Sequence, residues 1–168
     1  MSTLIHTEPR PQTLTRRQDW PVVLARYVHD RMTTPFAWGH QDCCRFAADA
    51  VLAMTGIDPM ADLRHVRTAD AAIRLLATYP LTTLASARLG PMRPVATAQR
   101  GDVVLLCRSD RQLLGLCVGA EWVAPAAHGL TFGPMHTALG AWHIGRGVTV
   151  DVAADMAAGV AVPAGEGA

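Results

Sequence analysis

Apolar positions recur at helical spacing in the first ninety residues and at strand spacing after Gly101, so the chain changes its period once. Val23, Leu24, Tyr27, Val28 and Met32 stripe a helix predicted over Trp20 to Met32, with Asp19 as its cap. Pro21 falls in the first turn, where a missing amide costs nothing. A second stripe, Phe46, Ala47, Ala50, Val51 and Met54, predicts a helix that starts behind Asp42 and stops at Gly56. Gly56-Ile57-Asp58-Pro59 reads as a turn, and Ala61 to Arg64 as a loop or single helical turn. Thr68 caps a third helix through Leu76, ended near Tyr79-Pro80, and a fourth runs from Leu81 to Leu89 before Gly90, Pro91 and Pro94.

Beyond Gly101 short apolar runs alternate with turn formers. Strands are predicted at Val103 to Cys107, Leu113 to Val118, Trp122 to Ala124, Leu130 to Phe132 and Ala141 to Gly145, forming a meander of five antiparallel strands. Trp122 and Trp142 fall on strands and read as core. Helices followed by a sheet define an α+β fold, with the helices packed on a C-terminal antiparallel sheet. Residues 1–18 mix Thr, Pro, Arg and Gln without periodicity and read as a flexible arm, leaving 19–145 as the folded domain. Residues 146–168, rich in Gly, Ala and Val, read as a low-complexity tail. Alternatively, Val148 to Ala157 forms an edge strand or lies on a neighbouring subunit.

Length and composition fit one core. The chain has 168 residues, half of them hydrophobic and 17% charged, which suits a single compact domain. A net charge of +1 gives no electrostatic footprint for nucleic acid, and all 15 basic residues are arginine. Cys43, Cys44, Cys107 and Cys117 lack the spacing of a disulfide scaffold, and adjacent Cys43 and Cys44 on one helix are expected to point in different directions. No apolar run has signal-peptide character or the ~18 residues a membrane span needs, so a soluble, cytosolically made protein with no export signal is expected.

The chemistry concentrates where an aromatic loop meets the second helix. Cys43 stands in the first helical turn, where unpaired amides and the positive end of the helix dipole favour thiolate over thiol. It reads either as a nucleophile or as a small buried residue that packs the helix start. Trp38-Gly39 followed by Asp42-Cys43, with Arg100-Gly101-Asp102-Val103-Val104 opening a strand downstream, resembles the NlpC-type branch of the papain-like cysteine peptidases. The resemblance is closer to small relatives encoded with tail genes of phages and prophages, and it spans about Asp19 to Gly145.

That resemblance implies an NlpC-type papain-like fold with a partly barrel-like sheet. It also implies a base at the start of the strand Leu113-Leu114-Gly115-Leu116-Cys117-Val118-Gly119, in the place Leu113 occupies, and a third polar group near Pro125. Neither residue can take a proton. His128 and His136 are the candidates for a substitute base, while His40 is expected to shape its loop. Trp38 and Phe36 read as loop anchors or as the rim of a peptide groove. A metal site from His40, Cys43 and Cys44 is rejected for want of a second spaced pair of ligands, and no cofactor is expected.

The resemblance therefore implies a structural or assembly component of a phage or prophage-derived tail tip or baseplate. Its expected partners are other tail proteins, such as hub, distal tail or fibre, and its expected location is the virion tail. The rival expectation is a cysteine peptidase or amidase acting on peptidoglycan, with Cys43 as nucleophile.

Overall fold

The structure, a computed structural model, describes residues 12–150. Its order is β1 (Gln12–Thr15), α1 (Trp20–Arg31), α2 (Cys43–Thr55), α3 (Ala69–Thr78), α4 (Leu81–Leu89), β2 (Val103–Arg108), β3 (Arg111–Cys117), β4 (Glu121–Ala126), β5 (Gly129–Pro134), β6 (Gly140–Trp142) and β7 (Arg146–Val150). This is an α+β arrangement in which helices precede a five-stranded antiparallel sheet of order β5-β4-β3-β2-β6. The sequence predicts a simple meander, but β6 crosses back to pair with β2 instead of following β5. Its amides find partners on both sides, because Ala141 also bridges Arg93.

Side-chain alternation gives the sheet two apolar faces. Val103, Leu105, Leu114, Leu116 and Val123 face the helices, where they meet Leu24, Phe46, Val51 and Met54 in the main core. Val104, Leu106, Cys117, Ala124 and Ala141 face the other way, against Val95, Ala98 and Met135 of flanking turns. Tyr27 joins α1 to α2 by donating its hydroxyl to the Phe46 carbonyl at 2.7 Å, while its ring lies 5.5 Å from that of Phe46. Trp142, fully buried, donates its indole N–H to Ser86 on α4 at 3.1 Å.

Two expectations about the ends are corrected. Residues 12–15 are not part of a flexible arm, and 146–150 are not part of an unpacked tail, since Gln12 pairs with Val150 and Thr13 with Thr149 in an antiparallel β1–β7 ladder. Leu14 on β1 is buried in the main core, so the folded unit is wider than 19–145. The edge-strand alternative at Val148 is realised as far as Val150; residues 1–11 and the remainder of the expected tail, 151–168, lie outside the described residues. Asp19 also differs, because its carboxylate takes two hydrogen bonds from Arg17 and makes no side-chain cap.

Asp102, fully buried at the head of β2, holds these ends together. Its carboxylate accepts from the amides of Gln99 at 2.8 Å and Ile144 at 3.1 Å and from the Arg16 guanidinium at 3.0 Å. Arg16 in turn lies over the Trp20 ring at 4.1 Å and donates to the Arg100 carbonyl. One carboxylate thus ties the segment after β1, the entry to β2 and the segment before β7. Asp102→Ala leaves a buried guanidinium and two amides without their acceptor, and is expected to lower the unfolding free energy in urea by about 3–5 kcal/mol. A loss under about 1 kcal/mol would show that other contacts carry this junction.

Candidate active site

The start of α2 is built around the Asp42 side chain. One carboxylate oxygen accepts from the Arg45 amide at 2.9 Å as an N-cap, and the other accepts from the Gly39 amide at 2.9 Å. Gly39 adopts a φ of +73°, and a side chain there would run into the Arg67 backbone, so the tight loop before the cap requires glycine. Arg45 is buried, approaches Asp42 at 3.4 Å and donates to the carbonyls of Arg64 and Val66. Those contacts pull the segment after α2 against the helix start. Arg64 completes the brace with ion pairs to Asp58 at 2.9 Å and Asp49 at 2.7 Å.

This geometry sets Cys43 against the sheet. β4 pairs with β3 only at Leu116 and Cys117, so the Leu114 amide lies beyond that ladder, where it favours the Cys43 thiolate. The neighbouring Cys44 thiol favours the same anion. Donation from Cys44 is the largest influence on Cys43; burial and the Asp42 carboxylate oppose it, and the net effect holds the Cys43 thiol below its ordinary range. Cys44 is pushed well above the ordinary range by the same hydrogen bond and by burial. Of the two thiols, Cys43 is therefore the one that ionises first.

Both sulfurs border a groove of about 950 Å³ between α2, α3, α4 and the β2–β3 hairpin. Its walls are mainly apolar, with Ala47, Val51, Leu75, Leu84 and Leu89 along its length. Trp38 stands at its rim, 45% exposed, and meets Phe36 edge to face at 5.1 Å. The rim reading holds for Trp38 rather than that of a buried anchor.

No histidine borders this groove among the described residues. His128 is exposed in the turn between β4 and β5, His136 is exposed on the short turn Met135–Thr137, and His40 is exposed in the loop before the cap. The structure brings none of them to Cys43. The expected base position is also corrected by one residue. Leu113 points to the opposite face of the sheet, among Leu106 and Cys117, while Leu114 and Gln112 border the groove with Cys43. Pro125 is buried on β4 and does not border the groove. The correction changes the residue but supplies no proton acceptor, because leucine has none and an amide is not a base.

The α3–α4 wall was not foreseen as part of a site. Its signal was present: α3 is amphipathic, yet none of its residues is buried, and Ile73 is 60% exposed along the groove. A helix with an apolar stripe that meets the core only through the half-buried Leu75 borders an open apolar surface.

A family model described as Domain of unknown function (DUF6950) matches residues 15–144. Comparison with curated proteins gave no match, nor did comparison with solved structures.

Alkylation of Cys43 by iodoacetamide, followed by peptide mapping across pH, is expected to reach half its full rate at a lower pH than alkylation of Cys44. Cys44→Ala is expected to move the Cys43 half-point upward, because the thiolate loses its strongest donor. An unchanged half-point would show that Cys44 does not stabilise the anion.

Proposed function

The chain belongs to the DUF6950 family, a domain of unknown function, and we propose that this member is a binding component of a phage or prophage-derived tail tip or baseplate. In this reading it uses an NlpC-type papain-like scaffold as an adaptor, contacts other tail proteins such as hub, distal tail or fibre, and resides in the virion tail. The Trp38-Gly39, Asp42-Cys43 and Gly101-Asp102 segments support the scaffold, together with the helix that sets a cysteine against an antiparallel sheet. The observation that carries the adaptor reading is the surroundings of Cys43. Its neighbours across the groove are Leu114 and Gln112, and no imidazole stands there among the described residues.

Amide hydrolysis needs more than a thiolate. A base and acid that move protons between nucleophile, amine and water contribute roughly 10²–10⁴ in rate, and no imidazole borders the groove among the described residues to do this. What the groove retains is apolar area and a Trp rim, which suit recognition of a protein segment. No helix among the described residues is long and apolar enough to cross a membrane, which fits attachment through protein contacts.

One observation favours the rival reading of a cysteine peptidase or amidase on peptidoglycan: the lowered ionisation of Cys43. The two readings are separated by incubating the protein with purified peptidoglycan and, in parallel, by capturing it from particles with its tail proteins. Co-purification with tail-hub or fibre proteins that survives Cys43→Ala, without release of peptide, is the expected result. Release of peptide that Cys43→Ala abolishes would replace the adaptor with an enzyme.

A further inference from the structure

We propose that residues 151–168, which follow β7, lie along the apolar groove of their own molecule, between α2, α3, α4 and the β2–β3 hairpin, and cover it until a partner displaces them. This goes beyond tail binding and does not rest on it, since the chain itself covers the groove whatever its partner is. Three observations converge on that segment.

The first is the groove's own surface. Ile73 is 60% exposed, Trp38 45% and Leu76 37%, and all three border it. None of the α3 residues is fully buried, and of that helix only Leu75 is packed on a buried cluster. Adjoining apolar surface is removed from water at a gain of about 25 cal/mol per Å², so an apolar segment within reach is drawn onto it.

The second is the path of the chain. β7 packs against α4, the helix that supplies Leu84, Ala85 and Leu89 to the groove wall, and residues 151–168 continue from Val150 at the end of that strand. α3 and α4 are ten and nine residues long, so each spans roughly 15 Å. The eighteen residues from 151 to 168 reach up to ~60 Å when extended, several times that length. A segment tethered beside the wall meets its own groove at a far higher effective concentration than a second copy does.

The third is composition. Val152, Met156 and Val160 recur every four residues, the spacing with which a segment lays one apolar side into a groove. Alanine and glycine dominate the positions between them. The charges of 151–168 are Asp151, Asp155 and Glu166, all acidic, so in a chain of net charge +1 the remainder is net basic and attracts the segment. Of the charged groups at the groove, Asp42 is held by the Gly39 and Arg45 amides and Arg88 pairs with Asp62, while Asp110 and Arg111 stand exposed on the hairpin. Residues 1–11 begin beside the same point, because Gln12 pairs with Val150, but they lack this pattern: Met1, Leu4 and Ile5 are followed by Pro9 and Pro11.

The test uses the full chain with the photo-cross-linker benzoylphenylalanine in place of Met156, read by peptide mapping. The expected cross-links join position 156 to α3 or α4 within one chain and are lost in Ile73→Asp, a change at an exposed position on the groove wall. Met156→Asp combined with Val160→Asp is expected to speed hydrogen exchange of the α3 amides about fivefold or more, with the β2–β3 amides unchanged. Circular dichroism checks that each variant is folded. Cross-links only between two chains, cross-links to another surface, or none would each overturn the proposal. So would α3 exchange that ignores the paired aspartates, or that rises only when Leu4 and Ile5 are replaced by aspartate. Capture of tail proteins by a chain whose groove proves uncovered would overturn this inference alone and leave the tail-binding reading in place.

Discussion

The carboxylate of Asp42 fixes where the thiol stands, and the candidate site is arranged around that constraint. With one oxygen on the Arg45 amide and the other on the Gly39 amide, it ends the aromatic loop and begins α2 within a few residues. A cap of this kind contributes about 1 kcal/mol, a modest amount for stability. Its larger effect is positional. Because the helix starts at Cys43 and not one residue later, Cys43 lies against the part of β3 that β4 leaves unpaired, where the Leu114 amide favours its thiolate.

Electrostatics around that sulfur are a contest between near neighbours. The Cys44 thiol and the Leu114 amide favour the anion, while burial and the same Asp42 that builds the site oppose it. The net effect lowers Cys43, while Cys44 is raised. A thiolate held in this way can attack an electrophile whose leaving group departs unaided. It lacks the imidazole that amide hydrolysis by a thiol uses to take a proton and return it. Leu114 and Gln112 border the groove on the β3 side, and neither can stand in for it.

Local signals made much of the fold legible. Asp42 and Thr68 cap their helices through side-chain oxygens, Gly56 closes α2 in a left-handed conformation, and α4 runs from Leu81 to Leu89 as its flanking Pro and Gly require. These features depend on neighbours in sequence. The β1–β7 pairing does not, since it joins segments over 130 residues apart that share no period or turn. The return of β6 to β2 was hidden for the same reason. The one-residue error at Leu113 has a different origin. Leu113, Leu114 and Leu116 are chemically alike, so composition could not say which face each takes, and alternation makes a slip of one position a change of face. The groove was missed because its α3 wall is read one element at a time as an ordinary amphipathic helix, and only tertiary placement shows that none of its residues is fully buried.

The central claim is that the thiolate of Cys43 is sustained by the Cys44 thiol and the Leu114 amide, with no imidazole taking part. It is tested most directly by titrating the thiolate absorbance of the protein and of variants with glutamine at His40, His128 and His136 in turn. The account predicts that the first of the Cys43 and Cys44 ionisations is assigned to Cys43 by its loss in Cys43→Ala, and is unchanged by every histidine substitution. A Cys43 ionisation that moves when any one of these histidines is replaced would contradict it, and would return a base to the groove.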